Sequence, residues 1–395
     1  MNIKETLNTP IVGEYDVIVA GGGVAGVAAA LSASRCGSKV LLIEKSYILG
    51  GLGTSGIVTI YLPICDGCGH QVSFGLAEEL LKVSIEDACE NLYPKAWLEG
   101  GTLEEKISHR YQTQYNPFLC AIVWEKLLLK ENVDILYGSF IANTTVENHR
   151  ITSLIVENIS GRGAYTCKNV IDATGDAVVA KLSGEDTVEY GLGNILASWF
   201  YDFSKEKGYN LNMLGFCETM PEDREDTEEI HERKYKGLDG KEISEFMYNS
   251  HASLYNKVME MRKSDPSYLP VNTASIPQLR MTRGLKGEYL MSINDDKKDF
   301  PDSVGLFSNW KKRGPIYELP FSTLHGSQIK NLLVCGRAMG AEDSMWDVTR
   351  VIPVCSVTGE ACGVASSFGD WDKVSISSIQ KKLKENGVKL KIGAV

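Results

Sequence analysis

Three glycines near the start of the chain, Gly21, Gly23 and Gly26, have a spacing that suits phosphate binding. They lie in "YDVIVAGGGVAGVAAALSASRCGSKVLLIEK" (15–45) and fit the pattern G-x-G-x-x-G. The first glycine permits a tight turn, the second lets the backbone approach a pyrophosphate, and the third lets a helix pack closely on a strand. Glu44 follows 23 residues after Gly21, where a carboxylate can accept hydrogen bonds from a ribose diol. The pattern predicts dinucleotide binding.

The elements that must position these glycines can be predicted from the same segment. Residues 15–20 and 39–44 are short apolar runs typical of buried parallel strands. Between them, the alanine-rich stretch 24–36 predicts a helix, and Val24 and Ala25 open it. Because the N-terminus of a helix offers free N–H groups to an anion, the pyrophosphate is expected there.

Further glycine motifs follow in a set order along the chain. Gly50–Gly51 comes directly after the second strand, in "KSYILGGLGTSG" (45–56). Later stretches are "VIDATGDA" (170–177) and "NLLVCGRAMG" (331–340). Together these motifs resemble the FAD-dependent oxidoreductase family of the glutathione-reductase-like superfold. A more distant similarity is to the fumarate reductase and succinate dehydrogenase flavoproteins.

This resemblance covers about 1–80, 115–185 and 275–370, and it implies FAD bound in an extended form with its ring at a domain interface. The residues that we expect at the cofactor, from the motifs and the resemblance together, are Gly21, Gly23, Val24, Ala25, Gly26, Glu44, Lys45, Gly50, Gly51, Gly53, Thr54, Ile141, Ala173, Thr174, Gly175, Asp176, Gly336, Arg337, Val351 and Ile352.

The flavin end of the site is expected at the helix that begins near Pro353. A flavin that gains a hydride also gains negative charge near N1, which a helix N-terminus stabilises. Arg350 directly precedes this helix and could orient a substrate carboxylate or carbonyl. The alternative is a surface arginine paired with Asp347 or Asp343.

Four other residues could act in catalysis. Arg280 and Arg283 are three residues apart in "QLRMTRGLKGEY", so they could face one way and bind substrate, or form inter-domain ion pairs. His325 and His70 lie near motif segments and could carry a proton, although a lone histidine is more often structural. We therefore name Arg350, Arg280, Arg283 and His325 as catalytic candidates.

The loop "CDGCGH" (65–70) allows several interpretations. Cys65, Cys68 and His70 could be zinc ligands, but no second Cys/His pair has suitable spacing. Haem attachment requires histidine directly after the second cysteine, where Gly69 stands instead. A redox dithiol that acts with the flavin and ordinary loop thiols both remain open. We predict no metal site.

The expected fold class is α/β. A Rossmann-like FAD-binding domain, with an antiparallel β-meander inserted into its parallel sheet, is built from 1–60, 115–185 and 328–395. A second α+β domain, which holds substrate and caps the site, is built from 61–114 and 186–327. The acidic stretch "ETMPEDREDTEEIHERK" and a helix near 241–263 fall within the second domain. After Arg280 we expect a strand at "GEYLMSI" and then a Pro/Gly-rich connection up to about 320.

Length, charge and cysteine usage narrow the class of protein. The chain has 395 residues, enough for two domains, and a net charge of −10, which disfavours nucleic-acid and membrane-surface partners. No 18-residue apolar run and no signal-like start are found, and ten scattered cysteines suit a reduced, cytoplasmic environment. We expect a monomer or a homodimer.

These inferences combine into one functional hypothesis. We predict an FAD-dependent oxidoreductase that transfers a hydride between flavin N5 and a small polar or anionic substrate. The chain has no second G-x-G-x-x-G, so electrons would come from the substrate, from NAD(P)H or from an electron carrier. The alternatives are a flavin monooxygenase that uses NAD(P)H and oxygen, and a non-catalytic FAD-binding partner protein.

Overall fold

A seven-stranded sheet forms the centre of the computed structural model, which describes residues 3–215 and 232–395. The acidic stretch at 218–234 lies mostly outside these residues. The strands of the described chain are β1 (Ile11–Ala20), β2 (Val40–Ile43), β3 (Ile60–Tyr61), β4 (Cys89–Asn91), β5 (Thr113–Tyr115), β6 (Asp134–Leu136), β7 (Phe140–Glu147), β8 (Arg150–Asn158), β9 (Gly161–Asp172), β10 (Thr187–Glu189), β11 (Phe200–Ser204), β12 (Gly208–Asn212), β13 (Leu269–Thr273), β14 (Arg283–Leu285), β15 (Ser303–Ser308), β16 (Ile316–Pro320) and β17 (Leu332–Val334).

The helices lie between and around these strands. They are α1 (Val24–Arg35), α2 (Leu76–Ala88), α3 (Lys95–Leu98), α4 (Leu103–Ser108), α5 (Pro117–Lys130), α6 (Val178–Ser183), α7 (Gly240–Met261), α8 (Asp343–Thr349), α9 (Ile352–Ser366) and α10 (Ile376–Glu385).

The central sheet has the order β6-β2-β1-β9-β8-β7, and β17 also pairs with β9. The pairs β1–β2, β1–β9, β2–β6 and β9–β17 are parallel. The pairs β7–β8 and β8–β9 are antiparallel, so the predicted meander is present and its last strand joins the parallel part. The predicted fold class, a Rossmann-like parallel sheet with an inserted antiparallel meander, is confirmed.

Strand β1 shows why its sequence is apolar without alternation. Val17 and Val19 pack into the cluster formed with α1, α2, α5 and α9, whereas Ile18 and Ala20 pack into a second cluster on the opposite face. Because both faces of the strand are covered, all four side chains are buried, as is typical of parallel sheets.

Helices α1 and α9 approach each other unusually closely. A Cβ atom at Gly359 would lie 2.3 Å from the carbonyl oxygen of Ala25, and one at Gly363 would lie 2.4 Å from that of Ala29. Glycine is therefore required on the α9 side of this contact, where backbone meets backbone without intervening side chains.

The other strands form smaller sheets with the orders β12-β11-β13, β10-β14, β15-β16 and β3-β5-β4. Two expectations were wrong here. "GEYLMSI" (287–293) forms no strand in the described chain, and only Met291 makes a single bridge, with Ala341. The stretch up to 320, predicted as a connection, contains the hairpin β15–β16. The domain boundaries stay a prediction.

Candidate functional site

The turn between β1 and α1 is shaped by two close backbone contacts. Gly21 has φ of +101°, and a Cβ there would lie 2.6 Å from the carbonyl oxygen of Ala173. A Cβ at Gly26 would lie 1.9 Å from the carbonyl oxygen of Gly21, so α1 rests directly on the turn. Gly26 therefore lets α1 pack directly against the turn, which is the close-packing role that its spacing indicates.

Gly23 has the opposite surroundings. It is the N-cap residue of α1, where no described side chain caps the helix, and a Cβ there would meet no described atom within 4 Å. Gly23 also lines a large cavity. The free N–H groups of the first turn of α1 therefore face open space, which suits a pyrophosphate.

Glu44, at the end of β2, is buried and fixes the same turn. Its Oε2 accepts a hydrogen bond from the N–H of Gly22 at 2.7 Å, and its Oε1 accepts bonds from the N–H and Oγ of Ser46 at 2.8 and 2.7 Å. Each carboxylate oxygen can accept more than one bond. Glu44 thus orders the glycine turn and can still accept from a ribose, since it lines the cavity.

The second glycine loop runs beside the first. The N–H of Gly50 donates to the carbonyl oxygen of Gly22 at 2.8 Å, and the Tyr115 hydroxyl donates to that of Gly53 at 2.8 Å. Thr54 turns inward and donates its hydroxyl hydrogen bond to the carbonyl oxygen of Leu49. Two glycine loops therefore form one continuous edge of the cavity.

This cavity has a volume of about 450 Å³ and collects most of the predicted cofactor residues. The predicted residues that line it are Gly21, Gly23, Val24, Ala25, Glu44, Lys45, Gly50, Gly51, Gly53, Ile141, Ala173, Thr174, Gly175, Asp176, Gly336, Arg337, Arg350 and Ile352. The described lining does not include Gly26, Thr54, Val351, Arg280, Arg283 or His325.

Arg350 reaches the cavity from the junction of α8 and α9. Its Nε donates to Asp347 Oδ1 at 2.6 Å, and Lys311 also pairs with this buried carboxylate. Burial alone would raise the pKa of Asp347, but the charges of Arg350 and Lys311 outweigh it and lower that pKa. The pairing foreseen as the alternative is present, and it holds Arg350 at the cavity wall.

Helix α9 begins beside Arg350. Val351 is its N-cap, no side chain of the described residues caps the helix, and Pro353 lies in the first turn. Because proline lacks an N–H group and the first-turn N–H groups have no partner within the helix, Ile352 and Val354 carry the free donors. Ile352 lines the cavity, so these donors lie at its edge.

Arg280 and Arg283 are not brought to the cavity wall together. The Arg280 guanidinium is buried and stacks over the Trp199 ring at 4.5 Å. Arg283, the first residue of β14, donates from Nε to the carbonyl oxygen of Asp176 at 2.9 Å. The two arginines thus diverge because residues 280–282 are extended rather than helical.

His325 lies in a cluster of aromatic rings. Its ring packs between Phe321 and Trp371, with centroid distances of 5.1 Å to each, and 14% of its side chain is exposed. His325 is not among the described residues that line the cavity. This packing is typical of a structural histidine, and a catalytic role for His325 stays a prediction.

The loop at 65–70 is ordered by its aspartate. Asp66 Oδ1 accepts from the N–H groups of Cys68 and His70 at 2.7 and 3.0 Å, and its Oδ2 lies 3.0 Å from His70 Nδ1. Cys65 is buried and accepts from the N–H of Tyr111 at 3.3 Å, whereas Cys68 is exposed. Within residues 3–215 and 232–395, no group of three His, Cys, Asp or Glu side chains is arranged to hold a metal ion.

Several lining residues were missed by the sequence analysis. They are Ile43, Ser46, Leu52, Ser139, Phe140, Val178, Gly237, Ile243, Ile276, Pro277, Leu279, Cys335 and Cys355. Ser46, Ser139 and Phe140 directly follow or precede predicted residues, so proximity could have indicated them. Other lining residues come from the predicted second domain, where no sequence motif indicates a cofactor site; they are Gly237, Ile243 and residues within 276–279. Burial raises the pKa of the Cys355 thiol to about 12.

The residues present fit FAD. Two glycine loops, two uncapped helix N-termini and the carboxylate of Glu44 line one elongated cavity that a dinucleotide can occupy. With the Rossmann-like sheet, these features define a dinucleotide-binding flavoprotein. The family model described as FAD dependent oxidoreductase matches residues 16–194 and 187–386, so the chain belongs to that family. FAD is its cofactor, as predicted.

Named relatives resemble parts of the chain. It is 27% identical over 167 residues to dihydrolipoyl dehydrogenase of Rhizobium etli, which is 41% of this chain and 32% of that protein. It is 32% identical over 71 residues to thioredoxin reductase of Ureaplasma parvum, 18% of this chain and 23% of that protein. The chain thus spans about a third or less of the length of these curated relatives.

A solved structure resembles nearly the whole chain. A geranylgeranyl bacteriochlorophyll reductase-like protein from Thermoplasma acidophilum superimposes with a TM-score of 0.51, 15% identity, and coverage of 94% of this chain and 84% of that one. At this identity the likeness concerns the fold alone. Separately, none of the described helices is long and apolar enough to cross a membrane.

Proposed function

We propose that this oxidoreductase transfers a hydride between flavin N5 and a small polar or anionic organic substrate. The observation that supports this most is the position of Arg350, which lines the FAD cavity beside the start of α9. FAD, when bound, supplies a carrier for two electrons. The substrate class follows from the cation, because a guanidinium binds carboxylates and carbonyl oxygens strongly.

The chain's own residues would have separate tasks in this reaction. Asp347, with Lys311 on its other side, fixes the orientation of the Arg350 guanidinium before substrate arrives. The uncapped N-terminus of α9 presents N–H donors where negative charge is favourable. Preorganised donors of this kind favour the charged state without having to reorient during the reaction.

The test is anaerobic reduction of the bound flavin, followed by its absorbance. The candidate donors are NADH, NADPH and a panel of small hydroxy, amino and unsaturated acids and sugars. In the variant Arg350→Ala, reduction by the active donor should slow by roughly 100-fold, the usual effect of losing one charge-stabilising donor, while FAD content is kept. The matched control Arg350→Lys retains the charge and should lose less.

Other outcomes would redirect the proposal. Reduction of Arg350→Ala at the wild-type rate would show that Arg350 does not handle the substrate. NAD(P)H consumption that requires both substrate and oxygen would indicate a flavin monooxygenase. No reduction by any donor would favour a non-catalytic FAD-binding protein. A cytoplasmic location and a monomeric or homodimeric state stay predictions from the sequence, as does an NAD(P)H or electron-carrier partner.

A further inference from the structure

Residues 275–282, which we call the strap, form neither helix nor strand. Ile276, Pro277 and Leu279 of the strap line the FAD cavity together with the two glycine loops. FAD in the cavity would therefore contact both the strap and the glycine loops.

The first end of the strap is bonded to the second glycine loop. The N–H of Ser275 donates to the carbonyl oxygen of Ser55 at 2.9 Å. The side-chain amide of Gln278 donates to the carbonyl oxygen of Gly56 at 2.5 Å, and its oxygen accepts from the N–H of Trp199 at 2.8 Å. Gln278 is 1% exposed, so these bonds are not shared with water.

The other end is bonded to the loop that follows β9. The Thr282 hydroxyl donates to Asp176 Oδ1 at 2.6 Å, and Arg337 Nη2 donates to the same oxygen at 2.6 Å. Arg337 also donates from Nη1 to the carbonyl oxygen of Leu279 at 2.6 Å and from Nε to that of Gly175 at 2.7 Å. The Asp176 carboxylate therefore accepts hydrogen bonds from a strap residue, Thr282, and from a cavity residue, Arg337.

All of these bonds join protein to protein, so they do not require FAD to form. A cover that is closed by its own bonds opposes both entry and exit of the cofactor, since either event requires the bonds to break. We propose that the strap is a clasp over the FAD cavity, and that Gln278 and Thr282 are positioning residues that set the rate of FAD exchange. The inference depends on FAD binding and not on the proposed reaction.

Two variants test this without changing the described cavity lining, to which neither Gln278 nor Thr282 belongs. Thr282→Val has nearly the same shape and removes the hydroxyl, and Gln278→Met removes the amide. Thr282→Ser is the matched control because it keeps the hydroxyl that Asp176 accepts. Arg337 is a poorer choice, since it lines the cavity and its loss could act on FAD directly.

The measurement is the exchange of bound FAD for isotopically labelled FAD in the holoenzyme, with uptake of FAD by apoprotein measured beside it. Each of the two variants should exchange FAD about ten-fold faster or more, as expected for loss of a buried hydrogen bond, and Thr282→Ser should match wild type. Uptake should accelerate as well, because the same clasp hinders entry.

Wild-type exchange rates in both Thr282→Val and Gln278→Met would overturn the proposal. So would faster release with unchanged uptake, which would make the strap an ordinary contact to FAD instead of a clasp. If Thr282→Val fails to fold, Gln278→Met decides, because its bonds lie at the other end of the strap. An inactive enzyme that shows the expected exchange rates would count against the proposed reaction and not against the clasp.

Discussion

The predicted FAD-binding domain (1–60, 115–185 and 328–395), which we call the nucleotide-binding half, and the predicted second domain (61–114 and 186–327), which we call the cap, contain different close contacts. In the first, besides side-chain bonds such as those of Glu44, backbones touch directly: Gly26 packs on Gly21, and Gly359 on Ala25. In the second, hydrogen bonds from buried side chains connect separate segments. Asn194 accepts from the N–H groups of Arg280 and Met281 at 2.8 and 2.9 Å and donates to the carbonyl oxygen of Tyr235 at 3.0 Å.

This difference decides which substitutions each half tolerates. At these glycine contacts an added Cβ atom would clash with the neighbouring backbone. The two backbones would have to move apart, so the contacts permit no side chain. A side-chain joint loses only the bonds that the side chain made, and the neighbouring chain can relax. A substitution at one of these glycines should therefore destabilise the whole nucleotide-binding half. Loss of a side-chain bond in the cap should destabilise only the residues around it.

The largest effect is expected for Gly26→Ala. The new Cβ would lie 1.9 Å from the carbonyl oxygen of Gly21, so either α1 or the turn must move. We expect a loss of at least about 3 kcal/mol in the free energy of unfolding, together with loss of bound FAD. Chemical unfolding and flavin absorbance of the purified protein measure both. Normal FAD content in this variant would refute the close-contact account of the turn.

The matching test in the cap is Asn194→Ala. It leaves several buried backbone groups without a partner, at about 1 kcal/mol or more for each group, so a loss of about 3 kcal/mol is expected. The loosening should be local: hydrogen exchange should quicken at 280–282 while α1 and β1 stay protected.

Ser198→Ala is the control for Asn194→Ala. It removes one cap bond, from the Ser198 hydroxyl to the carbonyl oxygen of Ser250 at 2.7 Å, and should lower stability by about 1 kcal/mol. If Asn194→Ala accelerated exchange in α1 as much as in the cap, the two parts would not differ as described.

A smaller effect concerns pH. Glu360 of α9 is buried and accepts from the N–H of Leu76 at 2.7 Å, and burial raises its pKa from 4.5 to about 8. Between these values the folded protein keeps a proton that the unfolded chain has lost, so stability should fall as pH rises from 4.5 to 8.

The variant Glu360→Gln should flatten this part of the pH profile. The glutamine keeps an acceptor oxygen for the N–H of Leu76 but has no proton to lose. Unfolding measured in urea at several pH values compares the two proteins. A wild-type slope in Glu360→Gln would mean that another group titrates in this range.

The smallest effect is expected at a surface ion pair between α1 and α2. Arg35 makes two hydrogen bonds of 2.7 Å to Glu79, but about a third of each side chain is exposed, so water screens the pair. Glu79→Gln should change stability by less than about 1 kcal/mol. A larger loss, measured by the same unfolding curves, would show that this exposed pair stabilises the contact between α1 and α2 more than surface ion pairs usually do.

The sequence could predict much of the nucleotide-binding half because backbone contacts require glycine. Gly21 and Gly26 stand at a fixed spacing for this reason, and Gly21 also lines the cavity. Arg350 was found from its place before a helix, although its partner among the two aspartates could not be chosen from sequence.

The cap could not be predicted to the same depth. Hydrogen bonds such as Gln278 to Gly56 join residues 222 positions apart, and glutamine at such a site has no required spacing. The hairpin β15–β16 was missed because its strands are wholly buried and lack alternation. His325 lies near a motif in sequence but packs against Phe321 and Trp371, and such packing cannot be predicted from closeness in sequence.

The contact between α1 and α9 has a consequence for how the protein is made. Ala25 and Gly359 are more than 300 residues apart, so α1 leaves the ribosome long before its partner exists. Until then the apolar flank of α1 that α9 covers has no native partner, a situation that favours aggregation or binding by chaperones. FAD should therefore be captured only after synthesis has passed α9, which makes cofactor binding a late event in folding.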